Sequence, residues 1–241
     1  MGITVCTVSG KGGVGKSTVS SGLAIAADKL EKKVLLIDLD AGLRCLDMMF
    51  GIDDKIVFDL SDAIECSDIS KAVYKARGYR NIDIVPAPLN PGKIDFSKLR
   101  DLIFKAKRKY DFVLLDFPAG ADFDDYGYFA DARFLIVSSA DNVSIRDASV
   151  ISGNLKTDIP PRLIINRFDI DMIKSGVYKN IDTLIDNSFT RLIGIVPADG
   201  ELLLLSNNHT LKNKGRAEKA FIRILRRISG ENVPLPKIKK I

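Results

Sequence analysis

A glycine-rich segment near the start of the sequence constrains the fold more than any other feature. The segment GKGGVGKST, residues 10–18, follows an apolar, β-branched run at residues 3–9 and precedes apolar residues at helical spacing. A strand, a glycine-rich loop and a helix in this order are the context that the P-loop pattern GxxxxGK[ST] requires. The chain is therefore predicted to open with a phosphate-binding loop between a β-strand and an α-helix.

Short apolar segments alternate with longer segments of helical period along the rest of the chain. This alternation is typical of parallel βα units, and the almost wholly apolar segments suit strands covered on both faces. We expect an α/β, doubly wound, mostly parallel sheet of about seven to eight strands with helices on both faces, a P-loop NTPase fold. The expected strands are residues 3–9, 33–38, 82–86, 110–117, 134–138, 163–166 and 192–197.

The composition suits one large domain. Of 241 residues, 46% are hydrophobic and 28% are charged, which is enough to bury one sizeable core. We expect a P-loop domain over residues 1–230 and a short basic tail over 231–241. No apolar run approaches the roughly 20 residues that cross a bilayer, and the first residues do not resemble a secretory leader. A cytoplasmic location is therefore expected.

Positive charge is concentrated towards the C-terminus. Residues 211–241 contain ten Lys and Arg against Glu218 and Glu231, a net charge of +8, so the whole-chain charge of +5 leaves −3 for the first 210 residues. A basic end on a slightly acidic body predicts an anionic partner, either a membrane surface or a nucleic acid. A solvated helix face would explain the same pattern.

The P-loop pattern predicts roles for its own residues. Glycines let successive amide N–H groups turn towards a phosphate, and the helix N-terminus adds partial positive charge. We expect Lys16 to reach the β- and γ-phosphates of a nucleotide and the Ser17 hydroxyl to bind Mg²⁺. The expected nucleotide-binding residues of the loop are Gly10, Lys11, Gly12, Gly13, Val14, Gly15, Lys16, Ser17 and Thr18.

Carboxylates stand at the ends of two predicted strands. Asp38 and Asp40 follow the second strand, and Asp116 precedes a Phe-Pro-Ala-Gly turn at residues 117–120. The carboxyl edge of a parallel sheet is where ligands bind, and paired acids there are costly unless a cation faces them. Asp116 occupies the Walker B position, so we expect it to hold Mg²⁺.

Lys11 is a second lysine that an ordinary P-loop does not need for its own nucleotide. It resembles the signature lysine of the deviant Walker A ATPases of the MinD/ParA family. The segments IDLDAGLRCLDMMFG (37–51), DFPAG (116–120) and SIRD (144–147) resemble the MinD branch of that family. The resemblance covers nearly the whole chain to about residue 230. It implies that ATP and Mg²⁺ are bound, and that hydrolysis is slow unless the protein forms a homodimer and a partner stimulates it.

Further site roles follow from this resemblance. It implies that Lys11 reaches the phosphates of a partner subunit, that Asp38 lies near hydrated Mg²⁺, and that Asp40 orients the attacking water. The catalytic residues are thus expected to be Lys11, Lys16 and Asp40, and the metal-binding residues Ser17, Asp38 and Asp116.

The base-binding residues are also implied by the resemblance. Asn166 and Arg167 match the family's adenine-contacting segment, and Pro197, Ala198 and Asp199 match the loop that closes over the ring. An asparagine amide carries both a donor and an acceptor, which suits adenine. The guanine-reading NKxD pattern is absent, so ATP is favoured over GTP.

The sequence departs from the MinD pattern at several positions near partner surfaces. Cys45 stands where asparagine is usual in the switch-like motif, and Ala198 where an acid is usual. The stripe Ala220, Phe221, Ile224, Leu225 and Ile228 predicts a last helix packed on the core. That leaves the three lysines of residues 236–241 as a membrane anchor. Near anionic lipid they contribute roughly 3 kcal/mol of binding free energy, which is less than the ~4.1 kcal/mol that corresponds to a millimolar Kd. Membrane binding at the inner face of the cell membrane is therefore expected for the dimer only.

The leading hypothesis is an ATP-dependent switch in division-site placement, regulated by a protein of MinC or MinE type. Alternatives are a ParA-like partitioning ATPase that grips DNA, an FlhG-like positioning ATPase, and a nucleotide-binding scaffold that hydrolyses little. The missing cysteine pair disfavours a nitrogenase-like electron carrier. We assign His209, the single histidine, no catalytic role.

Overall fold

The computed structural model describes residues 1–90, 94–176, 181–200, 202 and 215–236. His209 and the tail beyond residue 236 lie outside these residues. Eight described strands form one sheet: β1 (Ile3–Val8), β2 (Val34–Asp38), β3 (Tyr74–Lys75), β4 (Ile82–Val85), β5 (Phe112–Asp116), β6 (Arg133–Ser139), β7 (Arg162–Phe168) and β8 (Arg191–Pro197).

Helices connect the strands and cover both faces of the sheet. They are α1 (Lys16–Lys29), α2 (Cys45–Met49), α3 (Leu60–Glu65), α4 (Phe96–Ala106), α5 (Phe123–Gly127), α6 (Asn142–Asn154), α7 (Asp171–Lys174), α8 (Ile181–Ser188) and α9 (Arg216–Ile228), with 3₁₀ turns at Asp53–Lys55 and Ile69–Ala72. None of the helices in the described residues is long and apolar enough to span a membrane.

The sheet runs in the order β3-β4-β2-β5-β1-β6-β7-β8, with β3 antiparallel to β4 and the other described pairings parallel. The fold prediction is confirmed, and all seven expected strands are present. The sequence did not indicate β3, because two residues are too few to show a strand period.

Alternation along the strands sends side chains into two apolar layers. In β5, Val113 and Leu115 join the layer that includes α4 and α6, whereas Phe112 and Leu114 join the layer that includes α1 and α9. Burial on both faces explains why the strands lack a polar side. Because β1, β2 and β5 pair in parallel, their carboxyl ends meet at one edge of the sheet.

The last described helix packs on the core as expected. Its residues Ala217, Ala220, Phe221, Ile224, Leu225 and Ile228 are buried. The chain from 231 to 236 forms neither helix nor strand, in line with its prolines. The domain boundary at residue 230 stays a prediction.

Candidate functional site

The P-loop lies between the end of β1 and the start of α1. Gly13 and Gly15 adopt left-handed φ angles of 81° and 88°, which other residues rarely take. A Cβ on Gly15 would also lie 2.2 Å from the amide nitrogen of Asn166. Gly15 is therefore required by its backbone and by its neighbour, and it brings the loop against β7.

A buried polar network lies beneath the loop. The Nζ of Lys16 is 3.6 Å from Oδ1 of Asp116, and the two side chains are 7% and 1% exposed. Ser20 donates a 2.9 Å hydrogen bond to the same oxygen, and Thr7 Oγ1 lies 3.1 Å from it. The hydroxyls of Thr7 and Ser20 are 2.6 Å apart. Three groups therefore fix one oxygen of Asp116.

The other oxygen of Asp116 indicates a cation-binding site. Oδ2 is buried and has no hydrogen-bond partner among the described residues. Asp38 is its neighbour in the β2–β5 register, and burial, followed by the charge of Asp116, raises the pKa of Asp38 to about 7. An orphaned carboxylate oxygen beside a second buried acid suits a hard cation such as Mg²⁺. The residues present therefore fit the expected metal, with the partly buried Ser17 at the start of α1.

Asp40 lies at the rim of this group. Its backbone N–H donates a 2.9 Å hydrogen bond to Oδ1 of Asp38. Burial raises the pKa of Asp40, and the charge of Lys16 partly opposes that change. The side chain is only partly buried, so it lies between the buried acids and the surface.

Lys11 is exposed at the tip of the loop. It forms no ion pair among the described residues. The charge of Lys11 acts on Asp141, the N-cap of α6. Burial opposes ionisation of Asp141, but hydrogen bonds from Ser144 and the charge of Lys11 lower its pKa. Lys11 is thus a surface cation, in contrast to the buried Lys16.

Asn166 is buried against the P-loop. Its Nδ2 donates a 2.9 Å hydrogen bond to the carbonyl of Val14, and its Oδ1 is buried without a partner in the described part of the chain. The donor that we expected to meet adenine is thus engaged with the loop, and the acceptor is available. Arg167 follows in a left-handed conformation, φ 54°.

The other expected base-contacting residues follow β8. Pro197 is buried and Ala198 exposed, while the Ala198 N–H donates to the carbonyl of Phe168 at 2.8 Å. Asp199 Oδ2 accepts a 3.3 Å hydrogen bond from Ala217 N in the first turn of α9. This loop therefore joins β7, β8 and α9, a structural link that the sequence did not indicate.

Two further site residues escaped the sequence analysis. Thr7 and Ser20 are buried polar residues that hold Asp116, yet neither belongs to the P-loop pattern. For Thr7 the available signal was a hydroxyl inside the buried strand β1, which also carries Thr4, since buried polar groups need partners. Cys45, in contrast, stood out in the sequence. Burial, followed by the charges of Asp38 and Asp40, raises the pKa of its thiol.

Comparisons with known proteins agree with this geometry. A model of the CobQ/CobB/MinD/ParA nucleotide-binding domain matches residues 5–211. The septum site-determining protein MinD of Bacillus subtilis is 34% identical, with 98% of this chain and 92% of that protein aligned. The putative septum site-determining protein MinD of Emiliania huxleyi is 36% identical, with 95% and 88% aligned.

Solved structures give the same picture. A chain of the MinC:MinD cell division complex of Aquifex aeolicus superposes with a TM-score of 0.86 at 33% identity, covering 98% of both chains. MinD of Pyrococcus horikoshii, solved with Mg-ADP, has a TM-score of 0.77 at 24% identity over 95% and 96% of the chains, a likeness of fold. The chain belongs to the MinD/ParA family of nucleotide-binding domains, on its MinD side.

Proposed function

We propose that this protein is a Mg-ATP-dependent ATPase switch of MinD type that takes part in division-site placement. The observation that carries the proposal is the Lys16–Asp116 pair beneath the P-loop, with the second Asp116 oxygen left for a cation. The family and its septum site-determining relatives supply the cellular context.

The chain's own residues divide the work of phosphoryl transfer. The P-loop amides and the N-terminus of α1 hold the phosphates, and Lys16 adds a charge next to them. Asp40 accepts a hydrogen bond from the attacking water and orients it. Little covalent chemistry is asked of the protein, so positioning and charge account for most of the rate.

Ser17, Asp38 and Asp116 would hold Mg²⁺. The ion supplies neutralisation of the charge that develops on the phosphate oxygens. Thr7 and Ser20 fix one oxygen of Asp116 and thereby direct the other towards the cation. Their role is the orientation of a ligand, which usually matters as much as the ligand itself.

Asn166 supports adenine as the base. Its unpartnered Oδ1 can accept a hydrogen bond from an exocyclic amino group, while its bond to Val14 ties the base site to the P-loop. Guanine would place a carbonyl oxygen at that position, against another acceptor. We propose that Arg167, Pro197, Ala198 and Asp199 complete the pocket.

Lys11 connects hydrolysis with self-association. We assign this exposed cation to the phosphates of a second copy of the chain, where it acts as an arginine finger does. The dimer would then present a surface to a regulatory protein of MinC or MinE type, in line with the MinC:MinD complex of Aquifex aeolicus. Reversible attachment to an anionic membrane belongs to the same proposal.

Calorimetry with the intact chain and Mg-ADP tests nucleotide binding, and phosphate release from ATP tests turnover. The parent protein should bind ADP and release phosphate slowly. Asp40→Ala should keep ADP binding and lose at least about 100-fold in phosphate release, because only the orientation of water is lost. A folded parent chain that takes up no adenine nucleotide would overturn the proposal.

A further inference from the structure

A basic cavity lies between β8 and α9, apart from the P-loop. Its volume is about 160 Å³, several times that of a water molecule. Its described lining consists of Gly194, Ile195, Pro197, Arg216, Lys219, Ala220, Arg223, Arg227 and Pro236.

Four of these lining residues are cations and none is an acid. Arg216, Lys219, Arg223 and Arg227 follow one another on α9 at intervals of three or four residues, so they share a helix face. Like charges at this spacing destabilise a helix unless an anion faces them. Lys219, Arg223 and Arg227 therefore call for negative charge.

Two nearby acidic side chains pair with cations outside the cavity lining. Glu218 pairs with Lys29 on α1, and Glu231 pairs at 2.7 Å with Arg226, which does not line the cavity.

Arg227 is held in place without being neutralised. Its guanidinium donates to the carbonyls of Val233 at 2.7 Å, Ile193 at 2.6 Å and Pro234 at 2.7 Å. Burial, followed by the charge of Arg223, lowers its pKa. Three carbonyl bonds fix the position of this cation at one end of the cavity, and within the described part of the chain none of its bonds goes to a carboxylate.

We propose that this cavity binds a phosphate group, which either a free phosphate ester or the headgroup of an anionic phospholipid can supply. A fixed guanidinium, a second guanidinium one turn away and a lysine are the donors that phosphate recognition uses. The volume of about 160 Å³ favours a single tetrahedral anion over a stretch of nucleic-acid backbone. The site is separate from the P-loop, and the inference does not depend on nucleotide hydrolysis.

Arginine Nε–Hε NMR signals, followed during a titration with inorganic phosphate, test the site. Mg-ADP is present at saturation to fill the P-loop, and chloride keeps the ionic strength constant. The Arg223 and Arg227 signals should shift saturably, and the Arg226 signal should not. Arg223→Gln should weaken phosphate binding by at least about fivefold, while Arg226→Gln, which removes the same charge from a side chain that pairs with Glu231 and does not line the cavity, should leave it unchanged.

Vesicles identify the source of the phosphate. Phosphatidylcholine vesicles with and without phosphatidylglycerol are sedimented with the parent and the two variants. A loss of about fivefold for Arg223→Gln only, equivalent to about 1 kcal/mol per charge at an anionic surface, assigns the site to a lipid headgroup. Phosphate binding without a difference on vesicles assigns it to a soluble phosphate ester. Both results support the site.

Other results would overturn it. These are equal effects of Arg223→Gln and Arg226→Gln on phosphate binding, or no saturable shift of the arginine signals with phosphate. A third is that Arg223→Gln weakens binding to duplex DNA and to neither phosphate nor vesicles. Lys219→Gln repeats the test at an exposed position that cannot disturb the core. ADP uptake, recorded on the same samples, should be unchanged in the variants, so a failure of the nucleotide site is recognised separately.

Discussion

At the scale of single residues, the site is an arrangement that is unfavourable without its ligands. Asp38 and Asp116 lie side by side and are almost completely buried. Burial and the neighbouring charge raise the pKa of Asp38 to about 7, far above the ~3.9 of a free aspartate. The folded chain thus holds a proton on Asp38 at pH values where the unfolded chain has released it, and its stability falls as pH rises through that window.

This proton gives a prediction for metal binding. Because Mg²⁺ binding favours ionised Asp38, Mg²⁺ should displace the proton from Asp38 below pH 7. The Mg²⁺-dependent gain in ADP affinity should therefore fall by up to about tenfold for each unit by which the pH is lowered below 7. Calorimetry at pH 6 and pH 8, in two buffers that differ in ionisation enthalpy, measures both the affinity and the proton release.

Asp38→Asn is the matched control, since the phosphate of ADP titrates equally with both proteins. It should lose the proton release attributable to Asp38 and most of the metal effect. Equal proton release by the parent and the variant would mean that Asp38 does not take part.

The sequence was most informative about residues inside a short pattern. Lys16, Ser17, Asp38 and Asp116 could be named because loop spacing and strand ends fix their positions. Thr7 and Ser20 could not, because their partner Asp116 is distant in sequence and only the β1–β5 register brings them together. The engagement of Asn166 with Val14 depends likewise on how close β7 approaches the loop.

At the scale of elements, the contact between α1 and α9 fixes the back of the nucleotide site. A Cβ on Gly22 of α1 would lie 2.3 Å from the ring of Phe221 on α9, so the absence of a side chain permits the close packing. The Lys29–Glu218 ion pair joins the same two helices. A helix that begins at Lys16 is thus braced by the most basic helix of the described chain.

Gly22→Ala should destabilise the protein although alanine is the better helix former. Overpacking a close contact destabilises a protein by about 1–3 kcal/mol, whereas the higher helix propensity of alanine stabilises it by only ~1 kcal/mol. Gly153→Ala is the control, since Gly153 is exposed in α6 and a Cβ there meets nothing within 4 Å. It should be neutral or stabilising by up to ~1 kcal/mol.

Urea unfolding of both variants compares the two free energies. The double change Gly22→Ala with Phe221→Leu should interact favourably in a double-mutant cycle, because the smaller side chain relieves the contact. If Gly22→Ala were as stable as Gly153→Ala, α9 would not pack as described.

Elements were predictable where burial imposes a period. The central strands were found because both of their faces are covered, and α9 because its apolar stripe matches the helical period. β3 consists of Tyr74–Lys75 and owes its place to pairing with β4, a long-range effect that local sequence does not record. The link from Asp199 to Ala217 depends on tertiary contact in the same way.

At the scale of the whole molecule, the two P-loop lysines have opposite environments. Lys16 is buried with Asp116, and Lys11 is exposed beside Asp141. A buried lysine can serve the chain's own nucleotide, whereas an exposed one can serve a neighbour. Removal of Lys11 would therefore abolish a function that depends on association and leave nucleotide binding intact.

Lys11→Ala should separate these two properties. ADP binding by the monomer should change by less than about twofold, while phosphate release should fall at least about 100-fold, since a cation supplied in trans contributes about 10³–10⁵ in related phosphoryl transfers. In an Asp40→Ala background, light scattering should show an ATP-dependent dimer that disappears when Lys11→Ala is added. Lys105→Ala, an exposed lysine on α4, removes the same charge and should retain both dimer and turnover. A Lys11→Ala protein that still dimerises with ATP and hydrolyses it at the parent rate would show that this exposed cation serves no neighbour, and the ATPase would then be complete within one chain.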